Sequence, residues 1–182
     1  TSIAEKIQPE EIVVELSDYF STMREALHDY DGTIDKFMGD GILAFFNAPL
    51  TVEKHETSAC HAALKAQERL AIDRVRRGAE GRPEFHTRIG LGVGEVIVGN
   101  IGTPDRFAYT VIGDAVNLAS RLEGLNKFYG TSIIASGELV ESVEDYFEWR
   151  RLDRVSVAGR TGGTDVFELI GHKESVDPDL LA

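Results

Sequence analysis

Between residues 33 and 46 the chain carries two short runs rich in β-branched and aromatic residues, Thr33 to Phe37 and Ile42 to Phe46, around Met38-Gly39-Asp40-Gly41. Glycines on both sides of Asp40 can take the positive φ angles that a tight hairpin turn needs. Before this pair, Ile12, Leu16, Phe20, Met23, Leu27 and Tyr30 recur at steps of three and four, the stripe of an amphipathic helix. Pro9-Glu10-Glu11 suits its first turn, and Asp31-Gly32 its end. After the pair, once Pro49 has closed the second strand, an Ala- and Leu-rich stretch from about Lys54 to Val75 predicts a second long helix, with a polar loop from Arg74 to Arg82 behind it. A hairpin held between two amphipathic helices excludes an all-α or an all-β solution for this half of the chain.

The same alternation continues. Arg88 to Ile101 reads as a second hairpin: Ile89, Leu91 and Val93 alternate with Gly90, Gly92 and Gly94, Gly94-Glu95 suits a two-residue turn, and Val96 to Val98 return. Glycines along one face imply that something packs closely there. Thr103 to Tyr109 reads as a polar loop, and Gly113 opens a helix to about Asn126. Thr131 to Ala135 is a strand, Ser136 to Val143 a short helix, and Phe147 to Val157 with Asp165 to Ile170 a closing pair of strands. Ser2 to Ile7 reads as a short helix or turn, and the tail from Gly171 as frayed. The prediction is one α+β domain over residues 1–182, an antiparallel or mixed sheet with helices packed on it.

Charge restricts the partners. Nineteen basic against 31 acidic residues give a net charge of −12, which argues against nucleic acid and against anionic lipid surfaces. An anionic substrate would need a local cation or a metal to bring it in. The lone cysteine, Cys60, excludes a disulfide framework and a cysteine zinc site, and cytoplasm is the simplest compartment. No run approaches the roughly 20 apolar residues of a membrane span. Thr1 is not a natural first residue, so the piece is expected to belong to a longer protein.

Few residues carry a chemical signal by themselves. Asp40 at a hairpin tip can meet a hard cation such as Mg²⁺, or can simply be a good turn residue. Lys36, four residues earlier, is either a solvated strand side chain or a donor to a bound acceptor. Asn117 and Arg121 lie one helical turn apart behind Asp114; they could hold a phosphoryl or ribose oxygen, or form an ordinary polar stripe. There is no GxxxxGK[ST], no GxGxxG opening a helix, and no metal spacing among His28, His55, His61, His86 and His172.

Taken together, Ile34 to Ala44 and Tyr109 to Leu122 resemble the catalytic domain of class III nucleotidyl cyclases, most of all the bacterial homodimeric adenylyl cyclases. Gly92 to Gly102 resembles that family's central hairpin, and Thr1 to Glu5 the residues after its first strand, so the resemblance covers nearly the whole chain. It implies a ferredoxin-like βαββαβ core and two domains meeting head to tail as a homodimer with active sites in the cleft. It also implies attack of the ribose 3′-oxygen on the α-phosphorus of a nucleoside triphosphate, giving a cyclic monophosphate and pyrophosphate, with two Mg²⁺ or Mn²⁺ ions per site. By match to the motifs, Asp40 is a metal-binding carboxylate, Lys36 and Thr110 are the base-selecting positions, Asn117 orients the ribose, and Arg121 meets the charge developing on the α-phosphoryl group. Arg160 falls near the family's basic phosphate-binding position, with Arg106 a second candidate.

Lys36 donates and cannot accept, while Thr110 can do either. Lysine donating to adenine N1 points to ATP as the substrate, since guanine presents N1–H there. The family's first metal-binding aspartate belongs to an opening strand that precedes Thr1. The expected function is therefore an adenylyl cyclase catalytic domain lacking that first strand, with an upstream sensory or membrane region in the full-length protein. The alternatives are a guanylyl cyclase or a silent cyclase-like dimerisation module.

Overall fold

Glu10 and Glu11 lie at the positive end of the first helix, α1 (Pro9–His28), where carboxylates are favoured by the helix dipole. In this computed structural model, which describes residues 9–103, 105–156 and 162–174, α1 leads through a turn at Asp31 (φ 59°) into β1 (Thr33–Met38) and β2 (Gly41–Phe45). The expected stripe is half right: Met23 is buried, but Tyr19 and Ala26 complete the buried face, and the other stripe residues are half-buried. The expected turn at Ser2 to Ile7 lies outside the described residues.

The second helix, α2 (His55–Glu80), runs five residues past its expected end and absorbs most of the predicted polar loop. The reason is Arg77, which sits fully buried and is held by Asp73 of the same helix and by Glu15 of α1. A basic residue that reads as surface loop therefore continues the helix, because its charge is paired across the α1–α2 contact. Gly81, in the left-handed region at φ 68°, ends α2, and the Arg82 N–H donates back to the Arg77 carbonyl at 2.9 Å.

The predicted hairpin from Arg88 to Ile101 is not formed. β3 (Ile89–Leu91) instead pairs in parallel with β6 (Ile133–Ser136), and β4 (Ile97–Thr103) pairs antiparallel with β5 (Arg106–Ile112). Thr103 ends β4 and Arg106 to Tyr109 begin β5, so most of the segment expected as a polar loop, Thr103 to Tyr109, lies in a strand pair. Its backbone is matched residue by residue, from Ile97 opposite Ile112 to Thr103 opposite Arg106. The glycines expected to mark close packing do so: Gly90 and Gly92 face the backbone of α3 (Asp114–Tyr129).

After α3 come β6, α4 (Gly137–Val143), β7 (Phe147–Ser156) and β8 (Gly163–His172). β7 begins where expected, and β8 is two residues longer than expected at each end, since Gly171 and His172 pair with Glu148 and Phe147 rather than fraying. The main sheet has the order β3-β6-β8-β7, with β3/β6 parallel and the rest antiparallel, so it is mixed as predicted. Alternation along β6 divides the core. Ile133 and Ala135 pack with Cys60 and Ala63 of α2 and with Leu139 and Val143 of α4, whereas Ile134 packs with Leu118 and Leu122 of α3. Helices therefore cover both faces of the sheet. Two separate ladders, β1-β2 and β4-β5, stand apart from it, and an apolar-lined slot of about 480 Å³ runs between β2 and β3.

Candidate active site

Two of the residues singled out in the sequence touch. Lys36 Nζ donates to Thr110 Oγ1 at 3.0 Å, although 74 positions separate them, because β5 lies against β1. Thr110 is buried and the Lys36 side chain is about half-exposed, so the pair has one wet edge. A residue that the sequence reading passed over completes the group. Thr110 Oγ1 donates to Asp35 Oδ2 at 2.9 Å, and Lys36 Nζ stands 3.4 Å from the same oxygen. The Asp35 side chain is only 1% exposed.

Strand alternation sends neighbouring side chains to opposite faces, so Asp35 and Lys36 should not meet one partner. They do because β1 is bulged there. Ile34 is opposite Ala44 and Lys36 opposite Leu43, which leaves Asp35 as the extra residue of the pair. An acid directly before Lys36 was the visible signal, but the bulge that gives it meaning is set by the register with β2.

Asp40 is exposed at the β1–β2 turn, beside Gly39 at φ 63°, as its motif suggested. Asn117 and Arg121 are exposed one turn apart on α3, and the buried Ala115, Leu118 and Leu122 fix that outward face. β5 feeds α3 through Gly113, so Thr110 and the Asn117–Arg121 face belong to one continuous unit. The fold thus joins Lys36 to Thr110, and presents Asp40, Asn117 and Arg121 to solvent from separate elements. Arg106 is exposed at the start of β5, and Arg160 lies outside the described residues. Among the described residues no group of three or more His, Cys, Asp or Glu side chains could hold a metal ion.

Residues 1–171 match the family described as the adenylate and guanylate cyclase catalytic domain. The chain belongs to this family. Its cyclase domain is 42% identical to Adenylate cyclase 1 of Rhizobium meliloti over 97% of this chain, and spans 27% of that relative's length. Among solved structures it is similar to the guanylyl cyclase Cya2, with a TM-score of 0.80 and 32% identity over 97% of this chain and 88% of that one. It is also similar to the adenylyl cyclase CyaB of P. aeruginosa, with a TM-score of 0.79 and 28% identity over 97% of this chain and 90% of that one. The α+β architecture expected from the sequence is the architecture of those structures. An adenylyl and a guanylyl cyclase match the cyclase domain's backbone equally well, so the choice of base must lie in side chains. Among the described residues no helix is long and apolar enough to cross a membrane.

Proposed function

We propose that this domain is an adenylyl cyclase catalytic domain, converting ATP to 3′,5′-cyclic AMP and pyrophosphate as a head-to-tail homodimer. The observation that carries the reading is the contact between Lys36 and Thr110, with its wet edge. Lys36 offers N–H donors, and adenine N1 accepts; guanine would bring a second donor to the same place. Thr110 beside it meets the 6-amino group. Relatives named adenylate cyclase, from Rhizobium meliloti and Anabaena cylindrica, support the same reading, and the side chains at this edge favour ATP.

The chemistry asks for positioning and charge compensation more than for a covalent partner. The 3′-oxygen attacks the α-phosphorus, its proton leaves, and the bond from the α-phosphorus to the bridging oxygen breaks to release pyrophosphate. Asn117 orients the ribose so that the 3′-oxygen faces the phosphorus. Arg121, a planar donor on the same helix face, takes the charge gathering on the α-phosphoryl oxygens. Asp40 would hold Mg²⁺ or Mn²⁺, two ions per site in this reading, with a carboxylate from a strand upstream of Thr1. The ions would compensate the triphosphate and acidify the 3′-hydroxyl, an aid that a chain of net charge −12 requires. The slot between β2 and β3 has the position and apolar lining to receive that strand. Arg160 remains the proposed partner of the terminal phosphates.

Dimerisation is supported by the β4–β5 arm. Ile97 and Ile112 face each other across its ladder at 71% and 53% exposure, and Phe107 is 61% exposed. Apolar side chains so exposed on a paired arm suit the surface of a second copy. In that dimer Asp40 of one protomer would serve a site whose Lys36, Thr110, Asn117 and Arg121 come from its partner. Cys60 is buried and its thiol is pushed up to about 12 by burial, with Glu56 adding to it, so it behaves as a core residue and fits a cytoplasmic setting. The test is turnover by a chain extended upstream of Thr1, with Mg²⁺ or Mn²⁺ and either ATP or GTP. Cyclic AMP from ATP in clear preference is expected. Cyclic GMP from GTP in preference would make it a guanylyl cyclase, and no turnover of either would make it a silent dimerisation module.

A further inference from the structure

We infer that Asp35 sets the hydrogen-bond polarity of Thr110 and so makes the site an adenine reader. This rests on the proposal that Lys36 and Thr110 meet the base. A threonine hydroxyl has one proton and two lone pairs, and by itself can serve either a donor or an acceptor on the base. Here both of its inner neighbours constrain it. Lys36 has only N–H groups, so its 3.0 Å contact makes Thr110 Oγ1 an acceptor there. Asp35 Oδ2, at 2.9 Å, has only lone pairs to give, so the hydroxyl proton points to it. What Thr110 then has left for the wet edge is a lone pair. Lys36 keeps further N–H groups for the same edge. Together they present one donor and one acceptor, the complement of adenine N1 and its 6-amino group. Guanine, with N1–H and O6, meets a donor with a donor and a lone pair with a lone pair.

Three features make Asp35 suited to this task. Its side chain is 1% exposed, so water does not compete for the proton of Thr110. It is the extra residue of the β1 bulge, which turns it to the same side as Lys36. It stands 3.4 Å from Lys36 Nζ, so the three side chains form one cluster. Asp35 does not touch the nucleotide in this scheme. It is a positioning residue, and its effect should appear in the preference between bases rather than in the rate with every base alike.

The experiment uses the chain extended upstream of Thr1 and measures kcat/KM for ATP, for GTP and for the purine ribonucleoside triphosphate that lacks a 6-substituent. The parent should favour ATP over the unsubstituted purine by about tenfold, the value of one well-placed hydrogen bond. Asp35→Leu, of similar size, removes the acceptor and frees the Thr110 proton to turn outward. It should lower both the ATP-to-GTP and the ATP-to-unsubstituted ratios by about tenfold. In a Thr110→Val background the same substitution should leave both ratios within about twofold, since the hydroxyl it acts through is gone. If Thr110→Val shifts the ratios and Asp35→Leu does not, the role of Asp35 is overturned and the base-reading pair stands. If Thr110→Val leaves the ratios unchanged, the reading of the pair fails, and the inference with it. Should Asp35→Leu not fold, Thr110→Asn carries the test with Asp35 intact. Its NH₂ should turn to the carboxylate and its carbonyl to the base, so that ATP stays preferred. A preference passing to GTP in Thr110→Asn would overturn the inference.

Discussion

Gly90 lies so close to Ala119 that a Cβ on Gly90 would stand 2.0 Å from the Ala119 carbonyl oxygen and 2.4 Å from the Glu123 nitrogen. Both atoms are backbone of α3, so no side-chain rotation can relieve the overlap. Gly90→Ala must therefore push α3 off β3, at a cost of about 3 kcal/mol. A chain of this size should lose roughly 6–12 °C in Tm. Cyclase activity should fall further than the loss of folded protein accounts for, because α3 carries Asn117 and Arg121. Gly124→Ala on the same helix is the control: a Cβ there meets nothing within 4 Å, and replacing a helical glycine should raise stability by about 0.5–1 kcal/mol. Thermal melts of the two variants beside the parent decide it. A Gly90→Ala chain that melts with the parent would mean that α3 is not seated on this glycine.

The contact between the first two helices depends on one buried charge. Arg77 is fully buried, donates to Glu15 and Asp73, and lies over the Phe85 ring at 5.0 Å. Hydrogen bonds from Arg82 and Arg77 hold Glu15 below the usual carboxylate range against its burial. Burial pushes Asp73 up, and the guanidinium groups of Arg77 and Arg76 more than offset it. Arg77→Met keeps much of the volume but removes the one cation that touches both carboxylates, leaving Glu15 to Arg82 and Asp73 to Arg76. The expected loss is about 3–5 kcal/mol, read as a lower denaturant midpoint. Arg76→Met, at a side chain 57% exposed, should cost less than about 1 kcal/mol. Equal effects of the two would remove Arg77 from its place as the clamp.

His61 gives the fold a pH dependence of known sign. Its ring lies 4.9 Å from Phe147, 4.9 Å from His172 and 5.4 Å from Tyr30. Burial, and then the neighbouring His172, lower its pKa below the ordinary 6.5. The folded state therefore favours neutral His61, while the unfolded chain takes up its proton near the ordinary value. The unfolded state binds more protons in that window, so stability is full above about pH 6.5 and falls as the pH drops from there toward the lowered folded value. The lowered carboxylates, Glu15 and Asp73, give way only at more acid pH, below their ordinary values of 4.5 and 3.8. His61→Phe keeps the ring contacts and should flatten the fall in Tm between about pH 7 and pH 5.5. An unchanged slope in that variant would assign it to another group.

These contacts also explain what could and could not be read from the residues. The hairpin around Asp40 and the stripe of α1 are local patterns, set by glycine conformation and by helical period, and both appear in the structure close to where they were expected. Residues 89–103 misled because alternation with glycine imitates a hairpin strand. The glycines there serve the α3 backbone, and the partner of β3 is β6, more than forty positions away. The continuation of α2 was hidden for a related reason: Arg77 looks like a loop residue until Glu15 of another helix is placed beside it. The Lys36–Thr110 pair was recognisable through its motifs, yet Asp35 was not, because a one-residue bulge decides which way it faces. Local rules reached the elements. Register and long-range charge pairing, which those rules do not contain, decided the rest.

Sharing of the site between two chains yields the most direct test. Asp40 stands at a hairpin tip of β1–β2, and Asn117 and Arg121 stand on the outward face of α3. In the proposed dimer each site takes Asp40 from one protomer and Arg121 from its partner. Asp40→Ala removes a carboxylate at an exposed turn that carries little core packing, so the protein should fold normally and lose turnover. Arg121→Ala, on an exposed helix face, should do the same. Each is inactive alone because both sites of a symmetric dimer carry its lesion. Mixed in equal amounts, the two should complement. A mixed dimer has one site with both lesions and one with neither. Random exchange makes about half of the dimers mixed, each with one good site of two, so roughly a quarter of the parental activity should return. Activity should rise on a timescale set by subunit exchange, and crosslinking before mixing should prevent it. Recovery that fails in a mixture shown by native mass spectrometry to contain mixed dimers would mean that each chain builds its site alone.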